Sequence, residues 1–361
     1  MYDIIRQKIF FIMFHHFTSN FFILGLQFLL VSGEGDNRNY DLDSEVVNVY
    51  LRHNVVSSLS IRPIYKKSPV KGHQCFGAEC NGVFVIGVEQ KVYEYTITYK
   101  ENALYWSPLP PTNMDRSGSR CCVIGDNQLF VTGGHGQGRF SSEMLYIAPN
   151  KSSTAPKSFL SLFDILKEDN FNKLFDFNWK ACPTKPPANV RYHTMTSLGN
   201  GEVMLIGGVN MKRGNDVYSK NVYLGKITEN KDDVTWKEIS PLSVNRYGHI
   251  AFKIQGCVVA AGGCKGFGKY QSSEIFDLKT GLWNHHGHSL PHGISNASVI
   301  VDTQDRFAII TGGETNDYRT SNKIFVYTET NGFIEYKKKT LINSRKGHIS
   351  LIIRQYTRAS Q

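Results

Sequence analysis

Leu129-Phe130-Val131-Thr132-Gly133-Gly134 is a short apolar run that ends in two glycines, and it recurs. Val203-Met204-Leu205-Ile206-Gly207-Gly208, Val258-Val259-Ala260-Ala261-Gly262-Gly263 and the run 307–313 (FAIITGG) repeat it, with looser copies at 28–35 (FLLVSGEG) and 83–89 (VFVIGVE). The closing glycines are spaced by roughly 45 to 75 residues, a period that points to the blades of a propeller. Strands alternate their side chains, so β-branched and aromatic residues can fill the space between stacked sheets. Paired glycines suit a place where the backbone turns sharply or crowds a neighbour.

Each copy has the same surroundings. Beyond the glycines comes an apolar or aromatic strand: EVVNVY (45–50), EMLYIAP (143–149), NVYLGKI (221–227), SEIFDL (273–278) and NKIFVY (322–327). An aromatic follows, Trp106, Trp179, Trp236, Trp283 or Phe333, whose ring can wedge between sheets and whose indole N–H can find a carbonyl. Next is a basic or His-containing turn: Lys71-Gly72-His73, Arg116-Ser117-Gly118, Arg191-Tyr192-His193, Arg246-Tyr247-Gly248-His249, His292-Gly293 and Arg345-Lys346-Gly347-His348.

The order apolar strand, Gly-Gly, aromatic strand, Trp, Arg-x-Gly-His resembles the kelch repeat. It runs from about residue 26 to 356 and is specific in four copies and weak in the first two. The resemblance implies an all-β fold, a six-bladed kelch-type β-propeller. RKGHISLIIRQY (345–356) reads as a first strand with no blade after it, so the ring is expected to close by pairing it with the N-terminal run. Closure of this kind removes exposed sheet edges.

The expected domain is therefore 26–361. Residues 1–25 form an apolar, signal-like or disordered segment; 9–31 is interrupted by His15, His16, Thr18, Ser19 and Asn20 and reads poorly as a membrane span. Cytoplasmic and secreted settings both stay open. The 151–178 insertion carries Phe159, Leu162, Phe163 and Leu166 at helical spacing and is expected to form a short helical excursion. The formal charge of +10 is concentrated: 331–361 carries a net +6, which leaves +4 for the rest. No nucleic-acid reader motif accompanies it. Seven cysteines show no C-x-x-C spacing and read as small strand residues.

Catalytic signatures such as a P-loop, G-x-S-x-G or H-E-x-x-H are missing from the sequence. His285, His286, His288 and His292 cluster without a nearby carboxylate or cysteine, so neither metal nor cofactor is expected. His193, His249 and His348 belong to the repeat and read as structural. Arg116, Arg191, Arg246 and Arg345 fall in equivalent turns, which ring symmetry would carry to one mouth of the channel; guanidinium groups there suit carboxylates, or each anchors its own turn. Glu314 and Arg319 follow the last glycine pair in a loop of the kind that meets ligands.

Two functions follow. The first is a non-enzymatic interaction module whose loop face, through Arg116, Arg191, Arg246, Glu314, Arg319 and Arg345, takes a protein or peptide, acidic ones included. The second is a carbohydrate-active propeller enzyme resembling a sialic acid mutarotase, with Glu314 as acid/base and Arg319 for the sugar carboxylate. The first is the leading expectation, with no enzyme activity.

Overall fold

The computed structural model describes residues 23–31, 33–39, 43–52, 55–67, 75–80, 83–87, 94–100, 103–112, 116–125, 128–134, 141–149, 175–212, 215–285 and 287–355. Within them lie six four-stranded antiparallel sheets. Sheet 1 joins Ile23–Val31, Asp43–Arg52 and Val55–Lys67 to the C-terminal Ile349–Gln355. Sheet 2 is Phe76–Cys80, Val83–Gly87, Glu94–Lys100 and Ala103–Leu109; sheet 3 is Arg120–Ile124, Gln128–Thr132, Ser142–Pro149 and Phe175–Ala181. Sheet 4 is Thr194–Gly199, Glu202–Ile206, Val222–Ile227 and Val234–Ile239; sheet 5 is Ile250–Ile254, Cys257–Ala261, Ser273–Asp277 and Leu282–His285. Sheet 6 is Ser298–Val301, Ala308–Thr311, Ile324–Thr328 and Gly332–Glu335.

Expected closure through the chain ends is present. Ile23–Val31 pairs with Ile349–Gln355 through Leu29↔Leu351 and Val31↔Ile349, so the apolar run at 26–31 is a strand of the fold. The other expected feature, a helical excursion at 151–178, lies outside the described residues up to 174, and 175–178 belong to a strand.

Core clusters sit between successive sheets. Phe130 and Met144 of sheet 3 meet Val203 of sheet 4, Met204 of sheet 4 meets Val258 of sheet 5, and Phe252 of sheet 5 meets Ile310 and Tyr327 of sheet 6. Phe307 and Ile309 of sheet 6 then meet Leu26 and Val47 of sheet 1. Both faces of the central strands are therefore buried, which is why their sequences are almost unbroken apolar runs. Each fully buried side chain of this kind stabilises the fold by roughly 1.5–3 kcal/mol relative to exposure. The aromatic wedges take part: Trp236 lies 5.9 Å from Phe130, Trp283 lies 5.2 Å from Phe276, and Phe333 lies 4.7 Å from Tyr327. Trp179 donates to Pro110 O at 2.9 Å, but the indole N–H groups of Trp236 and Trp283 have no partner among the described residues, against expectation.

The glycine pairs stitch sheet to sheet. Gly133 and Gly134 have φ of 70° and 84°, and a Cβ on Gly133 would stand 2.4 Å from Val190 O of the next sheet's approach. The second glycine of each pair donates to that same carbonyl position: Gly134 N to Val190 O (2.9 Å), Gly208 N to Arg246 O (2.7 Å), Gly263 N to Ile294 O (2.8 Å) and Gly313 N to Arg345 O (2.8 Å).

Two residues beyond those carbonyls the chains meet around the axis. Tyr192 N donates to Gly118 O (2.9 Å), Gly248 N to Tyr192 O (2.8 Å), Asn296 N to Gly248 O (2.6 Å), Gly347 N to Asn296 O (2.7 Å) and Cys75 N to Gly347 O (3.1 Å). One residue from the approach to each of the six sheets is thus strung onto an axial girdle. The innermost strands touch in the same order, from Phe76–Cys80 through Arg120–Ile124, Thr194–Gly199, Ile250–Ile254 and Ser298–Val301 to Ile349–Gln355 and back.

Candidate active site at the loop end

The residue just before each girdle position and the residue just after each glycine pair lie at the same end of the ring. Backbone bridges join them: Arg191 with Val209, Tyr247 with Cys264, Ser295 with Glu314 and Lys346 with Glu34. Chemistry-bearing side chains from four sheets therefore meet at this mouth.

Glu314 is the centre of the charges. Its carboxylate takes Lys346 Nζ on Oε2 at 2.8 Å and Lys269 Nζ on Oε1 at 3.0 Å, while Lys346 also stands 3.7 Å from Glu34. Burial pushes the Glu314 carboxyl up, but the hydrogen bonds from Lys346 and Lys269 outweigh it and hold the pKa below its ordinary value. The acid is half-buried yet stays ionised.

Two loops fix this group. Cys264–Lys265 pairs with Gly268–Lys269 in a tight hairpin, and Lys269 N donates to Asn316 Oδ1 at 2.8 Å. Tyr318 Oη donates to Phe267 O at 3.3 Å, and Lys269 Nζ lies 4.2 Å from the Tyr318 ring centre. Asp36 accepts from Thr320 and from Ser344 Oγ, which ties the same loop to the N-terminal strand's exit.

A second wall is aromatic. Tyr218 stacks on Tyr247 at 5.1 Å with a 12° tilt, and Tyr192 lies 6.3 Å from Tyr247. Burial raises the Tyr247 phenol, with its hydrogen bond to Cys264 and the negative fields of Cys264, Tyr218 and Glu314 adding to it. Burial also raises the Cys264 thiol, although its bond to Tyr247 and the charge of Lys269 oppose this. Cys264 carries a free thiol, as do Cys122, Cys182 and Cys257.

The expected arginines separate. Arg116, Arg246 and Arg345 are fully buried. Arg246 donates to Gly262 O and Ser272 O, each at 2.9 Å, and pairs with buried Glu274 at 3.1 Å. Arg116 likewise donates to Ser141 O at 2.9 Å and pairs with Glu143, and Arg345 pairs with Glu45 at 2.5 Å. Their planar groups are consumed inside the sheets, so the ligand-binding expectation for these three is corrected. Arg191 is different because it sits one position further along its turn: Val190 occupies the place of the buried arginines. Its guanidinium reaches the mouth, 2.7 Å from Asp216. Arg319 shares the Glu314 loop but is 82% exposed and lies 3.6 Å from Asp317.

Sequence reasoning missed Lys269, Lys346, Tyr192 and Tyr247. A signal existed for three of them, since Tyr192, Tyr247 and Lys346 each follow an arginine in the repeated turns. Among the described residues no three His, Cys, Asp or Glu side chains are grouped to hold a metal ion; His286 lies outside them. Likewise no helix among them is long and apolar enough to cross a membrane.

The stacked four-stranded sheets, glycine stitches and loop-end site define a β-propeller. No family model matches the chain. An F-box/kelch-repeat protein of Arabidopsis thaliana is 23% identical over 220 residues, 59% of this chain and 51% of that protein, so the chain spans about half of the relative's length. The solved structure of YjhT superposes with a TM-score of 0.56 at 16% identity, covering 80% of this chain and 90% of YjhT. The fold is a kelch-type β-propeller. The likeness to YjhT favours the second reading over the two leading expectations, a non-enzymatic interaction module and no enzyme activity, which are therefore set aside.

Proposed function

We propose that this chain is a carbohydrate-active propeller enzyme resembling sialic acid mutarotases, in which the six sheets form the ring of blades and the loop end interconverts the anomers of an acidic sugar. The observation that carries the reading is the half-buried Glu314, kept ionised between Lys269 and Lys346 at the mouth. Anomer exchange needs a base for the anomeric hydroxyl and an acid for the ring oxygen, and this group offers both.

In one direction Glu314 takes the proton of the anomeric hydroxyl while Lys346 donates a proton to the ring oxygen. The bond from anomeric carbon to ring oxygen breaks, leaving an open-chain ketone. Rotation and re-closure on the other face return both protons, so nothing is oxidised or consumed. Lys269, the more buried of the two cations, keeps Glu314 charged and in place. Arg319, exposed on the same loop, is the group for the sugar carboxylate.

Two-dimensional exchange NMR on N-acetylneuraminic acid tests this. Wild-type protein should speed exchange between the anomeric signals, and Glu314→Gln should slow it by at least about 100-fold, the range set by losing general acid/base catalysis. A Glu314→Gln protein that folds normally and exchanges at the wild-type rate defeats the proposal.

A further inference from the structure

The axial girdle contains one residue that backbone geometry disfavours. Gly118, Tyr192, Gly248, Asn296 and Gly347 all have left-handed φ, of 73°, 55°, 60°, 53° and 61°. Three are glycine and one is asparagine, the types that reach this region at little cost. Tyr192 is the exception. Backbone strain of this kind concentrates at functional sites, where the surroundings over-determine it.

The ring explains what the strain achieves. A Cβ on Gly118 would stand 2.8 Å from Tyr192 Cε1, so the phenol lies across the neighbouring girdle glycine. Its other neighbours are Tyr247 at 6.3 Å and the Arg191 guanidinium, 5.2 Å from the ring centre. Tyr247 in turn feels the charge of Glu314 and stacks on Tyr218. Tyr192 therefore lies over the girdle at the floor of the mouth, and its neighbour Tyr247 is the residue that senses the acid/base group. Tyr192 gives its backbone N–H and carbonyl to the girdle, a part that any residue type could play.

We propose that Tyr192 is a positioning residue: its ring is the platform on which the C–H face of the pyranose stacks, with the anomeric centre turned toward Glu314. This rests on the sugar-enzyme reading above. A ring face carries partial negative charge and packs well against the weakly positive C–H groups of a sugar. The two residues flanking the platform, Arg191 and Tyr247, then limit how the sugar can rotate on it.

The test compares wild type with Tyr192→Gly, Tyr192→Asn and Tyr192→Phe, using thermal unfolding, N-acetylneuraminic acid binding by NMR titration, and anomer exchange. The glycine and asparagine variants should melt at or above the wild-type temperature, since the backbone strain is relieved. Their KM and Kd should rise about tenfold, the worth of one good ring contact, with a smaller change in kcat. Tyr192→Phe should match wild type. Glycine and asparagine variants that melt several degrees lower would make the tyrosine a structural member, and unchanged KM would remove the platform; either result overturns the inference. A wild-type protein that neither binds nor converts the sugar defeats the function reading, and this inference with it. Turnover by wild type with all variants equal defeats this inference alone.

Discussion

Sheets 1, 3 and 5 close their inner turns with a buried arginine on a buried glutamate, whereas sheets 4 and 6 do without either. The arginine place is held by Arg345, Arg116 and Arg246 in the first group, and by Val190 and Ile294 in the second. The facing position on the third strand follows suit: Glu45, Glu143 and Glu274 against Tyr223 and Phe325. In sheet 6, Ile294 and Phe325 share one apolar cluster. The two partners change together, as physics requires. A buried charge is tolerated when paired and hydrogen-bonded, and an apolar pair of similar volume serves equally, but half of either is costly.

Removing one partner tests this most severely. Arg246→Ala should lower unfolding stability by about 3–5 kcal/mol, because Glu274 would be left charged and buried. Denaturant titration reads it directly, and a loss under about 1 kcal/mol would mean that water already reaches the pair.

A second contrast concerns the position three residues after that arginine. His193, His249 and His348 stand there in sheets 4, 5 and 1, while sheets 3 and 6 have Ser119 and Ala297. Burial lowers all three histidines: His193 to about 3, with the charge of Arg120 adding to it, and His249 and His348 well below the ordinary value. Neither ring nitrogen of His193 has a hydrogen-bond partner among the described residues, whereas Nε2 of His249 meets Thr194 Oγ1 at 3.0 Å. The unfolded chain takes up protons near pH 6.5 and the folded one does not. Stability is therefore full above that pH and is lost as pH falls from about 6.5 toward 3. Each histidine should cost roughly 2 kcal/mol between pH 6.5 and 5, and His193→Ser, borrowing the residue of sheet 3, should flatten the slope. Equal slopes for wild type and variant would show that His193 is protonated in the folded protein.

The smallest effect is expected when sheet 5 is given the chemistry of sheet 6. Arg246→Ile with Glu274→Phe should recover most of the single-variant loss and come within about 1–2 kcal/mol of wild type. If the double variant is as unstable as Arg246→Ala, the backbone carbonyls of Gly262 and Ser272 depend on the guanidinium more than Glu274 does.

The blades could be read from the glycine pairs because residue type and geometry coincide there. At Gly133 and Gly134 both the left-handed backbone and the crowding by the next sheet exclude side chains. Chain-end pairing was legible for a related reason: 345–356 carries the pattern of a first strand, and the N-terminal run lacked one. The arginines misled because equal spacing was assumed. Arginine precedes histidine by three residues in Arg246/His249 and Arg345/His348 but by two in Arg191/His193, and that single residue moves Arg191 from the core to the mouth. Their partners were visible as the Ser-Glu that opens strands at Ser44-Glu45, Ser142-Glu143 and Ser273-Glu274. Glu314 was found from its place after a glycine pair. Lys269 and Lys346 were not, because they lie 45 and 32 residues away in sequence and only the ring brings them together.

The order in which the chain leaves the ribosome gives the terminal pairing a further meaning. Sheets 2 to 6 can each be completed from consecutive residues as they emerge. Sheet 1 holds an open slot against Ile23–Val31 until Ile349–Gln355 has been made, more than 300 residues later. During that interval an apolar strand edge is exposed to any other strand, its own later sheets included. The strand Ile349–Gln355 then protects one made more than 300 residues before it.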